Sequence, residues 1–349
     1  MKTYTIPEQV ANHLRNEMAR GRWLNEMPGR DALAKKLGVS PRSVQSALDI
    51  LEKEGSLVPQ GQGRSCLINL KKNRKRTQAI RIAVLYYSSL DLSLEYELRH
   101  ELERLGYTVT FPSKGLHELG MKTTRIKKIV RNVDADMWIV YAASKEVLQW
   151  FLDNKIKVFA IAGRHVGLPI AATGPDKATA YKQTTRMLIQ KGHHRIVLAC
   201  ARHLRIPDPS KPTARFLEAL REAGIPGGEF NLPDWDETPE GFQRLLHSLF
   251  SATPPTALIL DQPVLFHSTY YFLGQRNIKV PQDVSLVCTD PDPNFTWYRP
   301  SVAHLDWKLG PVVRRIVKWV DHVTSGIDDR RQSYSKVRYV PGETVRALK

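Results

Sequence analysis

Seven short, almost wholly apolar runs recur along the chain at 80–86, 107–111, 136–141, 158–162, 196–199, 257–260 and 285–288, separated mostly by stretches of helical length and spacing. These stretches are 91–105, 120–132, 144–154, 176–191, 211–223 and 264–276. A strand that is apolar at every position, and not at alternate ones, must be covered on both faces. The alternation therefore predicts parallel sheets with helices on either side. From residue 80 onward it fills 270 residues, enough for two such lobes.

The first eighty residues follow a different pattern. Val10, Leu14 and Met18, with Ala11, form the apolar stripe of one helix, and Pro7 suits its first turn. Leu33, Ala34 and Leu37 mark a second, short helix ended by Gly38. Ser40 is a good N-cap and Pro41 a good first helical residue for a third helix, which carries Val44, Ala47, Leu48 and Leu51 and stops at Gly55. Leu57-Val58-Pro59, a glycine-rich Gln60-Gly61-Gln62-Gly63-Arg64 and Cys66-Leu67-Ile68 then read as a small hairpin. Three helices and a hairpin, with a tight turn between the second and third helices, is the order of a winged helix-turn-helix.

Charge agrees with a polyanionic partner. Residues 1–79 hold 15 Lys or Arg against 7 Asp or Glu, and the whole chain has a net charge of +17. Residues 71–76, Lys-Lys-Asn-Arg-Lys-Arg, lead into the first strand. They form a basic linker at 71–79, which either touches phosphates or serves as a solvated tether.

Residues 5–70 resemble the DNA-binding domain of the GntR family of bacterial transcription regulators. The matching residues are Pro28-Gly29, Leu33-Ala34, Leu37-Gly38-Val39-Ser40, Ser43-Val44, Ala47-Leu48, Leu51-Glu52, Glu54-Gly55, Gly61 and Gly63. The resemblance implies that the third helix enters the major groove and the hairpin tip lies near the minor groove. Arg42, Ser43, Gln45 and Ser46 would then face base edges or phosphates, and Ser40 a phosphate. Arg30, the wing residues Gly61, Gln62 and Gly63, and Arg64 complete the expected DNA-binding set. The sequence departs from the family at Pro41, Gln45 and Asp31, where relatives commonly carry Arg, so the operator sequence is not carried over.

Residues 80 to about 345 resemble the effector-binding domain of the LacI/GalR family, itself similar to periplasmic sugar-binding proteins. The resemblance rests on Asp176, Leu188-Ile189, Gly192-His193, Ile196, Phe216, Ala219-Leu220, Ala223-Gly224-Ile225, Pro255-Thr256-Ala257, Val280-Pro281, Asp283 to Val287 and Pro300-Ser301-Val302. It implies a two-lobed, periplasmic-binding-protein-like type I domain holding a sugar-like ligand between the lobes, at the carboxyl ends of the strands. By position Asp290 corresponds to an acidic acceptor of sugar hydroxyls; its other reading is a loop or capping aspartate. Asp261 and Gln262 are polar cleft candidates, and Arg164 after Gly163 is a ligand contact or a surface residue. Trp297 and Tyr86, beside Tyr87, offer flat faces for a sugar ring, although core packing is the commoner fate of such side chains. Arg215 stands where relatives have glycine, and 207–212 replaces an expected arginine.

The expected architecture is thus multidomain: a winged helix-turn-helix at 1–70, a linker at 71–79, and an α/β two-lobed effector-binding and dimerisation domain at 80–349. No Gly-x-Gly-x-x-Gly follows the first strand, and the phosphate-loop lysine, the Gly-x-Ser-x-Gly elbow and His-Glu-x-x-His are missing, so an enzyme is not expected. No cofactor or metal is expected either, since His193-His194 has no ligand-spaced companions. Three scattered cysteines and a start without an apolar leader point to the cytoplasm, and no apolar run nears the roughly 18–20 residues of a membrane helix. The two resemblances together imply a repressor of carbohydrate-related genes. It would bind operator DNA as a homodimer, with affinity set by the ligand. The alternative is a regulator whose second domain only dimerises or docks a protein partner.

Overall fold

The computed structural model describes residues 5–19, 23, 26–60, 65–68, 80–88, 93–251 and 253–348. The chain divides into two compact units, Met1–Arg81 with Glu101–Thr108, and Ile82–His100 with Val109–Lys349.

In the first unit three helices, α1 (Ile6–Ala19), α2 (Arg30–Leu37) and α3 (Pro41–Lys53), precede two short strands, β1 (Leu57–Val58) and β2 (Leu67–Ile68). Val10, Leu14 and Met18 of α1 meet Leu33 of α2 and Val44, Leu48 and Leu51 of α3 in one core. Each such side chain contributes about 1.5–3 kcal/mol on burial. The turn between α2 and α3 is built from two caps. Gly38 takes φ +67 and returns its N–H to the carbonyl of Ala34, a left-handed conformation that a side chain disfavours. Ser40 Oγ accepts the N–H of Ser43 at 3.1 Å, and Pro41 opens the helix. β1 and β2 pair antiparallel, Leu57 opposite Ile68, and Glu26 bridges to Leu67 on the other side. The expected hairpin tip, Gly61 to Arg64, and the expected linker at 71–79 lie outside the described residues.

The second unit contains two sheets. One has the order β12-β7-β6-β5-β3-β4 and the other β13-β11-β10-β9-β8. The strands of the first are β3 (Arg81–Leu85), β4 (Thr108–Thr110), β5 (Met137–Tyr141), β6 (Val158–Ile161), β7 (Ala171–Pro175) and β12 (Gln332–Ser335). Those of the second are β8 (Ile196–Ala199), β9 (Ala257–Leu260), β10 (Ser285–Cys288), β11 (Ala303–Trp307) and β13 (Val337–Val340). β8 to β11 run parallel, and β13 closes the edge antiparallel to β11. Strands β6, β8, β9 and β10 are buried at every residue, as their composition requires.

Helices cover both sheets: α4 (Ser93–Arg104), α5 (Thr123–Asn132), α6 (Lys145–Asp153), α7 (Lys177–Gln190), α8 (Arg202–Arg205), α9 (Lys211–Glu222), α10 (Pro239–Ser251), α11 (Pro263–Gln275) and α12 (Leu309–Thr324). Trp319 of α12 packs on Phe159 of β6, the ring centroids 5.3 Å apart, while Tyr181 of α7 and Phe216 of α9 share a core with Ile259 of β9. The chain therefore passes between lobes three times: from β7 to α7, from β11 to α12, and from β12 to β13. Elements β7, α10, β11, α12, β12 and β13 were not among those expected from the sequence.

Candidate functional site

A cavity of about 580 Å³ lies between the two lobes. Its walls are the residues that follow the parallel strands: Tyr87 after β3, Tyr141 at the end of β5, Arg164 after β6, Lys177 after β7, His203 after β8, Asp261 and Gln262 after β9, and Asp290 after β10, with Trp307 ending β11. Carboxyl ends of strands collect such groups because the chain turns there into loops and helix starts.

The second lobe supplies a buried charge cluster. Asp176 caps α7, accepting the N–H of Thr179 at 3.3 Å, and so fixes the first helical residue, Lys177. The Lys177 ammonium stands 2.7 Å from Asp290 Oδ2, 3.3 Å from Asp261 Oδ1 and 3.5 Å from Thr289 Oγ1. One turn later, on the same helix face, the Tyr181 hydroxyl donates to Asp261 Oδ1 at 2.6 Å. The amide of Ala201 reaches Asp261 Oδ2 at 3.4 Å, and Thr289 Oγ1 lies 3.2 Å from both carboxylates. Trp307 Nε1 donates to Asp290 Oδ1 at 3.0 Å. Burial pushes the Asp290 carboxyl up to about 6, against the pull of Lys177. Burial also opposes the Lys177 charge, but Asp290 and Asp261 outweigh it and hold the ammonium well above its ordinary range. The His203 imidazole is pushed down to about 4, chiefly by burial, and is neutral near pH 7.

Side chains reach across the cleft on both flanks. Arg164, in the first lobe, donates to the carbonyls of His203, Ile206 and Asp208 and pairs with the Asp208 carboxylate at 3.2 Å. Its approach depends on Gly163, at φ +73, where a Cβ would lie 2.6 Å from the carbonyl oxygen of Ala143. On the other flank the Tyr87 hydroxyl donates to Glu237 at 2.7 Å, and His117 Nε2 lies 3.1 Å from the same carboxylate. Glu237 also accepts the amide of Arg202, and the Tyr87 and His203 rings stand 4.3 Å apart.

Of the residues expected in the cleft, Asp290, Asp261, Gln262 and Arg164 line the cavity, and Tyr86 and Trp297 do not. Tyr86 is buried, with its ring where a Cβ on Gly115 would meet it at 2.7 Å, and successive side chains alternate direction, so Tyr87 faces the cavity instead. Trp297 ends a 3₁₀ turn, Pro293–Trp297, and is 85% exposed. The indole at the site belongs to Trp307, ten residues later. Lys177, Tyr181, Thr289, Trp307 and His203 were not expected there. The i, i+4 pair Lys177 and Tyr181 on a predicted helix start was the available signal.

In the first unit, Arg42 and Gln45 are exposed on α3, Ser43 and Ser46 are half-buried, and Val44 between them is buried. Gln45 Nε2 donates to Asp49 at 2.9 Å, Ser40 and Ser43 hydroxyls lie 2.9 Å apart, and Arg30 pairs with Asp31 at 2.9 Å. Gly61, Gln62, Gly63 and Arg64 lie outside the described residues. His193 is buried and bonds the carbonyl of Arg346 at 3.0 Å. Among the described residues no group of three or more His, Cys, Asp or Glu could hold a metal ion, and no helix is long and apolar enough to cross a membrane.

Residues 185–345 match the family model of the periplasmic binding protein-like domain. The transcriptional repressor PurR of Erwinia tasmaniensis is 30% identical over 118 residues, 34% of each chain. The transcriptional regulator AglR of Rhizobium meliloti is 27% identical over 163 residues, 46% of this chain and 45% of AglR. The chain thus matches between a third and a half of the length of these curated relatives, both transcription regulators. A LacI-family transcriptional regulator from Enterococcus faecium, solved with bound ribose, superposes with a TM-score of 0.61 at 16% identity, covering 77% of this chain and all of that one. The second unit accordingly has the two-lobed, parallel-sheet fold seen in that structure, and the match to the family model covers residues 185–345.

Proposed function

We propose that this chain is a DNA-binding transcription regulator, a repressor of carbohydrate-related genes, whose operator affinity is set by a sugar-like ligand held between the lobes of residues 80–349. The observation that carries the reading is the cavity of about 580 Å³ at the strand ends, with the half-buried acceptor Asp290 in its wall. Asp261, Gln262 and Arg164 are its companions in the proposed effector site. That two relatives are transcription regulators and a structural neighbour holds ribose supports the same reading.

Residues 1–70 are assigned the DNA-binding role, with a winged helix-turn-helix of GntR type, and 71–79 the linker. The α1-α2-α3 order followed by an antiparallel strand pair supports this, while the matched family model begins only at residue 185. Arg42 and Gln45, exposed at the start of α3, are the proposed base-reading residues, with Ser40, Ser43, Ser46, Arg30 and the wing residues as their neighbours. A homodimer in the cytoplasm would place two such modules on a pseudo-palindromic operator. Ligand preference for one lobe arrangement would then shift DNA affinity by linkage.

The test is a thermal-shift panel of mono- and oligosaccharides on the full chain, followed by anisotropy on DNA selected from a random pool. A ligand at a hundred times its Kd adds about 2.7 kcal/mol to the folded state, a clear rise in midpoint. A flat panel from a folded dimer that binds DNA would replace this reading with the regulator whose second domain only dimerises or docks a partner.

A further inference from the structure

We infer that Lys177 is the specificity-determining residue of the cleft, an internal cation that occupies the place of a ligand amine between Asp290 and Asp261 and so leaves the floor to uncharged polyhydroxylated ligands. The inference deepens the ligand reading above and rests on it.

An ammonium has three N–H donors, and those of Lys177 face Asp290, Asp261 and Thr289. It has none left for a ligand. Asp261 is engaged on both oxygens, by Tyr181, Lys177 and Thr289 on one and by the Ala201 amide on the other. Asp290 differs: among the described residues its Oδ1 has Trp307 Nε1 as its one partner, and it retains acceptor capacity toward the cavity.

Each class of ligand then meets a distinct reception. An anionic group brought to the floor meets two carboxylates against one ammonium. An amine finds the position between those carboxylates already held, at 2.7 and 3.3 Å, by a covalently attached ammonium that sheds no translational freedom to stay there. A hydroxyl donates to Asp290 Oδ1 without disturbing any of these pairs. At the outer wall Arg164 is likewise spent on Asp208 and three carbonyls.

The test compares the full-length chain with Lys177→Met, reading thermal midpoints with D-ribose, D-glucose and cellobiose, with D-glucosamine, and with D-glucuronate and glucose 6-phosphate. Uncharged sugars alone are expected to raise the midpoint of the unaltered chain. In Lys177→Met, which opposes two carboxylates with no cation, preference is expected to move toward glucosamine by about tenfold or more in affinity. Ethylammonium chloride, and not sodium chloride, is expected to restore part of the midpoint that this variant loses. A merely structural lysine would move neither the charge preference nor the amine rescue.

A charged sugar preferred by the unaltered chain, or a variant with unchanged preference, overturns the inference. A panel flat for every sugar instead overturns the ligand reading beneath it, and the ethylammonium arm still reports whether Lys177 serves as the counter-ion. Should Lys177→Met fail to fold, Lys177→Met with Asp290→Asn restores the original net charge of the cluster. Recovery of the fold in that double variant supports the inference, and no recovery overturns it.

Discussion

The cleft floor and the start of helix α3 both present polar side chains, but they hold them in opposite ways. On the floor, Asp261 is buried and Lys177 half-buried, and their donors and acceptors are matched inside the protein. On α3, Arg42 and Gln45 are exposed, with Gln45 tied only to Asp49 one turn on. A matched, buried set keeps its shape with or without a visitor, and altering it costs stability. An exposed set costs little to alter and acts through whatever arrives from outside.

Mutations at the two places put that difference to the test. The largest effect is expected at Asp261→Ala, which strands Lys177 and Tyr181 beside a single remaining carboxylate. Removing one partner of a buried pair costs about 3–5 kcal/mol. Urea unfolding measures it, and a loss below about 1 kcal/mol would erase the distinction between floor and helix.

The next effect is a pH profile. The Asp290 carboxyl sits at about 6 in the folded chain and near 3.8 in the unfolded one, so between these values the folded state holds the extra proton. Stability from this group is therefore present in full below about pH 4 and declines as pH rises toward 6. At about 1.4 kcal/mol per unit the decline is about 3 kcal/mol. Unfolding free energies of the unaltered chain and Asp290→Asn should converge or cross along that interval, and parallel curves would remove Asp290 as the titrating group.

Arg42→Ala should weaken binding to selected DNA by about 1–3 kcal/mol and relax preference at one base pair, with stability changed by less than about 0.5 kcal/mol. Unaltered affinity and preference would displace α3 from the groove. Smallest of all, Ser40→Ala should cost about 1 kcal/mol of stability through the lost cap. No change by thermal unfolding would mean that Pro41 and Gly38 hold the turn unaided.

The same contrast explains what could be read without coordinates. Helix α3 was legible because caps and the spacing of Val44, Leu48 and Leu51 are local signals. Strands such as Ile196–Ala199 were legible because both faces are apolar. β7, Ala-Ala-Thr-Gly-Pro, was not, because its small residues carry no strand signature and its burial comes from neighbours. Asp290 and Asp261 stood out as acids after apolar runs, yet Lys177 is their partner across 84 and 113 residues of sequence, a pairing no local pattern encodes. Trp297 misled for the same reason: proximity in sequence to Asp290 placed it near the site, while the chain turns away and returns with Trp307.

The three crossings between lobes carry a mechanical consequence. Lys177 is two residues from one crossing and Trp307 ends the strand before another, so any rotation of the lobes about these crossings would pivot close to the charge cluster. Tyr87 follows β3, three strands from β7, roughly 14 Å at the usual spacing of neighbouring strands. The same small angle would sweep its hydroxyl, bonded here to Glu237, along a longer arc. With the proposed ligand held at the charge cluster, the fulcrum would be the place of binding and the far end the place where binding is displayed, a lever whose short arm is chemical and whose long arm is positional.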